Sequence, residues 1–418
     1  MKETPYLCGG EFFALLISTF KYIFMKANHV CGKIYHIGVN DRRKPLFENM
    51  WPLPGGVAYN SYLIADQKTA LLDTVELGTG GSFADEIKQL LGGRELDYLV
   101  VNHMEPDHSG EIKNILEAFP HVTVVGNKFT LKILQNYWGT VQNFQEVKDG
   151  EDLPLGHHIL RFVTTPMVHW PESMMTYDLT ENVLFAQDAF GAFGTLDGTV
   201  FDDQIDLRDY ETEMRRYYSN IVGKHSLHVQ KALAKLNGVS VSCICPLHGV
   251  MWRKNPAHAV ELYDKWSRYE AENAVLVLFA SMYHNTEVVA DYIAGKIVEE
   301  GVNNVRVYDV SKTHVSYLIS EAWRCKSIVL GSCAYNGGMH PMMELFCREM
   351  EHYGLKNRQL ALFGSYSWGG GGLRALQGFA DGIGWEASAA PVELAGKPDN
   401  DKLKQFDQLA KDVVVKLN

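Results

Sequence analysis

One stretch of this sequence, from Asn102 to Gly110, reads Asn-His-Met-Glu-Pro-Asp-His-Ser-Gly. It crowds four ligand-type side chains, His103, Glu105, Asp107 and His108, into six residues directly after an expected strand at 98–102. Alternate residues of an extended segment project to one side, so His103, Glu105 and Asp107 can point together. His108 then falls where the chain turns into a helix expected to begin near Ser109. Three further candidates follow other expected strands: His169 in TTPMVHWPES, Asp188 in LFAQDAFG and His248 in CICPLHG. Any one of them could be a turn aspartate or a core histidine, since the chain has 16 histidines. As a set they supply enough imidazoles and carboxylates for two metal ions, with Asp188 as the natural bridging carboxylate. Glu105 adds a hard anionic oxygen, which suits iron in a mixed histidine/carboxylate shell better than zinc. The expected centre is therefore redox-active di-iron.

A second constellation lies in three loops toward the C-terminus. Ser281, Met282, Tyr283, His284, Asn285 and Thr286 join an expected strand to an expected helix. Their hydroxyl and amide side chains, with the N–H groups of a helix start, form an anion site for a phosphate. No G-x-G-x-x-G and no G-x-x-x-x-G-K occurs there, so a monophosphate such as FMN fits better than a dinucleotide or a triphosphate. Ser332, Cys333, Ala334, Tyr335, Asn336, Gly337 and Gly338 follow the third strand of this half. Ser365, Tyr366, Ser367, Trp368 and Gly369 follow the fourth. Both loops sit at carboxyl ends of parallel strands, where such sheets bind ligands. Glycines allow close backbone approach, and Tyr335 and Trp368 offer flat faces for an isoalloxazine ring.

The elements that must position these residues fall into two patterns. From about residue 33 to 252, short strands alternate with helices (strands at 59–65, 70–73, 98–102, 122–126, 159–164, 174–178, 183–187 and 240–245; helices at 83–91, 110–118, 130–137 and 209–236), which suits an αββα sandwich. Residues 253–272 read as a polar amphipathic helix linking two domains. From 273 to 418 the alternation becomes regular: strands at 274–280, 306–310, 327–331, 359–363 and 386–391, each followed by a helix. That is a doubly wound five-stranded parallel sheet.

The chain has 418 residues, 46% of them hydrophobic and 21% charged, enough to bury more than one core. With 39 basic and 50 acidic residues the net charge is −11, which argues against nucleic acid or an anionic membrane as partner. Seven cysteines without a CxxC pair leave no disulfide framework and favour the cytoplasm. Residues 1–32 read as an N-terminal extension. Its apolar run at 11–25 is interrupted by Lys21 and is shorter than a membrane span needs. Met25 stands as a possible alternative start.

The motif H-x-E-x-D-H, followed by His169, Asp188 and His248, resembles the flavodiiron proteins (A-type flavoproteins, including rubredoxin:oxygen oxidoreductases). The resemblance spans roughly residues 33–418. It implies a metallo-β-lactamase-like domain followed by a flavodoxin-like domain. The zinc hydrolases of the first fold use His-x-His-x-Asp-His, and here Glu105 replaces the second histidine. The resemblance further implies that His103, Glu105 and His169 hold one iron, that Asp107, His108 and His248 hold the other, and that Asp188 bridges them. The three later loops look like FMN loops, with His284 standing where a small residue is usual. The implied activity is reduction of O2 to water, of NO to N2O, or both, in oxygen detoxification. FMN would relay electrons to two iron atoms per chain from a separate carrier such as rubredoxin, because no electron-donating module follows the last expected helix. The implied assembly is a head-to-tail homodimer or a dimer of dimers. The rival readings are a hydrolase fused to a flavodoxin and a non-enzymatic O2 or NO sensor. Trp170 and Tyr177 are the neighbours expected to support the metal site.

Overall fold

The computed structural model describes residues 25–79 and 83–417. The expected apolar run at 11–25 therefore lies almost wholly outside the described residues. Met25–Cys31, placed in the extension by the sequence reading, forms a strand paired antiparallel to Ile34–Asp41 at the edge of the first sheet.

That sheet has seven strands in the order Met25–Cys31, Ile34–Asp41, Val57–Ala65, Thr69–Leu72, Tyr98–Val100, Thr123–Gly126 and Phe144–Glu146. The first half is antiparallel and the second half parallel. A second sheet runs Asp152–Pro154, Ile159–Thr164, Met174–Asp178, Val183–Gln187 and Cys243–Pro246. Strand Val57–Ala65 is buried over nearly its whole length, and so is Val183–Gln187, as expected of central strands covered on both faces. The two sheets pack face to face, for example through Tyr62 against Phe185 at 5.2 Å between ring centres. Helices such as Phe83–Leu91 and Ser226–Leu236 cover the outside, giving the αββα sandwich.

Asn60 staples the first sheet to the loop after the second sheet's last strand. Its side-chain amide donates to the carbonyls of Pro246 and Gly249, both at 2.9 Å, and its backbone N–H donates to Leu247 O at 2.8 Å. The Asn60 side-chain oxygen in turn meets His36 Nε2 at 2.9 Å. His36 is fully buried, and burial pushes its pKa down to about 4 against a smaller upward effect of that hydrogen bond. The ring is therefore neutral and donates to Asn60.

The second domain is an all-parallel sheet in the order Val305–Asp309, Glu272–Ala280, Cys325–Cys333 and Gln359–Tyr366, with two short strands beyond. The single edge strand expected at 386–391 is instead split into Glu386–Ala387 and Val392–Ala395. Pairing jumps from Ala387 opposite Leu360 to Val392 opposite Phe363, and Pro391, which has no N–H to donate, lies in the break. The linker helix is shorter than the linker, spanning Pro256–Ser267.

The helix expected at 209–236 is also interrupted. It runs as Leu207–Tyr217, then a wide turn at Tyr218–Val222, a tight turn at Gly223–His225, and Ser226–Leu236. The interruption lies where the two domains meet. Asn220 donates to the Arg216 carbonyl of its own helix and to Ser316 O of the second domain. A Cβ on Gly223 would meet Trp323 at 2.8 Å, so glycine is what lets that indole approach. Arg216 stacks between Phe193 and Tyr317, 4.3 and 4.6 Å from their ring centres. Among the described residues, no helix is long and apolar enough to cross a membrane.

The buried neutral His36 makes a prediction about acid stability. Unfolded chain takes up a proton near pH 6.5 and the folded site near 4, so the contribution is complete above pH 6.5 and is lost as pH falls towards 4. Between pH 7 and 5 it should remove about 2 kcal/mol. His36→Gln should lose that part of the slope. Denaturant midpoints that fall equally in both proteins would assign the slope elsewhere.

Candidate metal centre and cofactor loops

Strand Tyr98–Val100 delivers the chain to the sandwich's interior end, and the buried carboxylate of Asp73 catches it there. Asp73 Oδ1 accepts from Asn102 N at 2.7 Å and His103 N at 3.1 Å, while Oδ2 accepts from the Asn102 side chain at 2.9 Å. Burial raises Asp73 to about 6, with the Asn102 and His103 donors opposing. Asn102 also receives the Thr176 hydroxyl at 2.6 Å, which ties this loop to the second sheet. A separate short helix, Pro106–Ser109, with proline at its first position, precedes the helix expected at 110–118, which runs Ile112–Ala118. His108 is therefore inside the short helix, and its N–H donates to Glu105 O at 2.9 Å.

The structure brings all seven sequence-predicted residues to one place, in two groups. His103, Glu105, His169 and Asp188 present ligand-type atoms within 4.8 Å of one another, and so do Asp107, His108 and His248. Asp188 faces both groups. Its Oδ2 lies 2.9 Å from His169 Nε2 and 3.1 Å from His103 Nε2, and its Oδ1 lies 3.0 Å from His108 Nε2. Glu105 Oε2 stands 3.1 Å from His169 Nε2 and 3.4 Å from His103 Nε2.

Two of the imidazoles, His103 and His248, are aimed from behind. His103 Nδ1 meets Glu172 Oε1 at 2.9 Å, and the same oxygen accepts from Met104 N. His248 Nδ1 donates to Ala58 O at 2.8 Å. Each contact leaves the Nε2 lone pair facing inward, which is how protein sites orient a metal-binding histidine. His108 Nε2 and His248 Nε2 then face each other at 3.0 Å, an arrangement suited to a shared cation. Both Asp107 oxygens and Asp188 Oδ1 are buried without a hydrogen-bond partner. Orphaned carboxylate oxygens and opposed lone pairs fit a pair of cations.

Without metal, these groups neutralise one another. Burial lowers His103 and His169, yet the Asp188 and Glu105 carboxylates outweigh it, raising His103 well above its usual value and His169 to about 9. Burial raises Asp188, yet His103 and His108 hold it well below the carboxylate range. Metal binding therefore releases protons from this site. Aromatic rings line it: Phe47, Tyr59 and Tyr217 stand 5.5, 5.7 and 5.3 Å from the His248 ring, and Trp170 stands 5.3 Å from His103.

The sequence reading missed Asp73, Asn102 and Glu172. Glu172 lies three residues after His169, and a carboxylate close to a candidate ligand was the available signal. Trp170 does pack on the site. Tyr177 does not, since its hydroxyl donates to Asn182 and Ser240.

In the second domain, Ser281, Met282, Tyr283, Asn285, Thr286, Cys333, Ala334, Ser365, Tyr366 and Ser367 line one pocket. The Thr286 and Ser365 hydroxyls lie 2.9 Å apart, and the buried Ser281 Oγ has no partner, so a phosphate would find an unused donor beside the N-terminus of helix Asn285–Glu299. His284 adopts a left-handed conformation at φ 64°, which explains why a small residue would suit the position. Its ring is held by Glu287 at 2.6 Å. Ser332 is occupied structurally, accepting from His340 N. Asn336, Gly337 and Gly338 make the tight turn in which Tyr335 and Gly338 exchange backbone hydrogen bonds. A Cβ on Gly371 would meet Gly337 O at 2.3 Å, so that glycine lets the loop bearing Gly369 lie flat on the turn. At the rim, Trp368 is 96% exposed and Tyr335 42%.

Residues 57–249 match the model of the ODP family beta lactamases, and residues 277–407 match the flavodoxin model. The anaerobic nitric oxide reductase flavorubredoxin of Salmonella arizonae is 32% identical over 86% of this chain and 75% of its own length. The Escherichia coli flavorubredoxin is 32% identical over 84% of this chain and 74% of its own. The rubredoxin oxygen:oxidoreductase of Desulfovibrio gigas superposes with a TM-score of 0.89 at 30% identity, covering 94% of this chain and 98% of that one. This chain belongs to the flavodiiron protein family. The flavodiiron protein of Giardia intestinalis shares the fold at 23% identity, with a TM-score of 0.87 over 95% and 97% of the two chains.

Glu172 supports a prediction independent of turnover. Glu172→Gln keeps the volume but removes the charge that orients His103, and should weaken metal affinity about 10–100-fold. Competition with a calibrated chelator measures this. An unchanged affinity would mean that the packing of Trp170 suffices to aim His103.

Proposed function

We propose that this chain is an oxidoreductase reducing O2 to water, NO to N2O, or both, with two irons at the seven-residue site and FMN in the second-domain pocket. The observation that carries the reading is Asp188, whose two oxygens each face a separate histidine/carboxylate group. In this reading His103, Glu105 and His169 hold one iron, Asp107, His108 and His248 hold the other, and Asp188 bridges. Iron and flavin supply the redox chemistry when bound. The chain's own part is to hold seven ligands in fixed orientation, exclude water with aromatic rings, and admit protons, since both reductions consume one proton per electron. Glu105 supports iron over zinc because it adds an anionic oxygen to the first group.

The flavin loops are assigned as read: the Ser281–Thr286 segment with His284 for the phosphate, and the two later loops, with Tyr335 and Trp368, for the ring. Names among the relatives support a rubredoxin-like one-electron carrier as donor. All six described cysteines are free, which supports a reducing compartment such as the cytoplasm. We further propose a head-to-tail homodimer that sets the exposed Trp368 loop of one chain near the metal site of its partner, an isologous contact repeated by two-fold symmetry.

Protein produced with iron should contain two irons and one FMN per chain, and after anaerobic reduction it should consume O2 or NO. Asp188→Ala should lose iron and gas consumption while retaining FMN, and Glu105→His should favour zinc. Two zincs in place of iron would refute the reading. The dimer has its own test. Asp188→Ala mixed with a Trp368→Ala/Asn285→Ala double variant should recover part of the activity once subunits exchange. No recovery despite exchange would mean that electrons pass within one chain.

A further inference from the structure

Strand Val392–Ala395 carries one acidic side chain into the ligand-binding end of the second domain. Glu393 lies opposite Gly364 across the parallel pairing, beside Ser365, which lines the FMN pocket. Its Oε1 is buried and has no hydrogen-bond partner, so through that atom the carboxylate neither caps a helix nor satisfies a loop amide. Two glycines make room for it. A Cβ on Gly364 would stand 3.1 Å from Glu393 Oε1, and a Cβ on Gly370 would stand 3.3 Å from Oε2. The same Gly364 Cβ would meet Leu373 Cβ at 2.8 Å, in the first turn of helix Gly372–Ile383. The carboxylate is thus held between that helix start and residues 365–371, the loop bearing Trp368. A buried acceptor left without a donor costs stability. Costs of that kind are expected where a charge serves a site rather than the fold.

We propose that Glu393 sets the reduction potential of bound FMN, its negative charge disfavouring the reduced ring. This deepens the proposed function and rests on its assignment of residues 365–369 to the ring. The physical reason is the change of charge on reduction. The oxidised isoalloxazine is neutral, and two electrons with one proton turn it into an anion at neutral pH. A carboxylate beside the ring loop leaves the oxidised form nearly untouched and repels the reduced one. Because Oε1 is shielded from solvent, its charge is screened less than a surface charge would be. The strand also fixes the charge in place, since Val392 and Leu394 on either side pair with Phe363 and Ser365. Two opposing effects limit the size. The positive end of helix Gly372–Ile383 lies beside the carboxylate and offsets part of its field. Arg374 of the same turn adds a nearby cation, although its Nη2 reaches Gly337 O at 3.4 Å rather than Glu393. Electrons arriving from a one-electron carrier are therefore held less firmly on the flavin and pass more readily to the metal site.

The test compares FMN-loaded wild type with Glu393→Gln and Glu393→Asp. Each protein is equilibrated without air against a dye of known potential, and the oxidised flavin is read from its absorbance. At one dye potential, Glu393→Gln should raise the ratio of reduced to oxidised FMN about tenfold over wild type, a shift of about 30 mV for a two-electron couple. Glu393→Asp keeps the charge and should stay closer to wild type. Affinity for oxidised FMN, titrated through flavin fluorescence, should be the same in all three proteins. An unchanged ratio in Glu393→Gln would overturn the inference. So would an equal loss of affinity for oxidised and reduced FMN, which would make Glu393 a support of the loop alone. A wild-type protein that binds no FMN would overturn both this inference and the reading it rests on. If FMN binds and the ratio shifts while neither gas is consumed, the reading of gas reduction fails and the role of Glu393 stands.

Discussion

Seven ionisable side chains converge at one buried spot, and the structure depends on their charges cancelling. Carboxylates taken out of water alone would cost several kcal/mol each. Asp188 sits between imidazoles of both groups, and the rings of His103 and His248 are each aimed by a second contact behind them, to Glu172 and to the Ala58 carbonyl. Compensation is therefore built into the protein itself, and cations replace protons in an arrangement that already exists. The same constraint explains the location. Only the end of a sandwich lets two sheets contribute loops that meet without burying their backbone groups unpaired.

The scaffold around that spot works by linking the sheets to the loops. Asp73 and Asn102 hold the His103 loop to both sheets, and Asn60 holds the His248 loop to the first. Asp73 and Asn60 each satisfy two backbone groups at once, and Asn102 bridges the Asp73 carboxylate and the Thr176 hydroxyl, so each fixes an angle as well as a position. The domain contact follows a different logic. Arg216 lies between two rings and Trp323 against Gly223, so packing of large flat groups sets how the FMN loops stand relative to the metal site.

The ligand cluster was legible because its residues are dense in sequence. His103, Glu105, Asp107 and His108 share one loop, and period-two projection already points several of them together. The flavin loops were legible because a parallel α/β sheet presents its binding loops at one edge, so order along the chain predicts proximity in space. Helix and strand ends were less so. The helix carrying His108 starts at Pro106, the edge strand splits at Pro391, and the long helix expected through residue 236 breaks at the domain contact.

By itself the sequence determined the two-domain plan, the residue types able to bind two metals, and the three loops shaped for a phosphate and a flat ring. These follow from local periodicity and from chemistry carried by single side chains. Only the tertiary structure decided that Glu172 and Ala58 aim the histidines, that Asp73 sets the loop, and that Tyr177 faces Ser240 instead of the site. Those contacts link residues far apart in the chain. Nothing local distinguishes a glutamate that will meet an imidazole from one that will meet water; packing of the two sheets makes that choice.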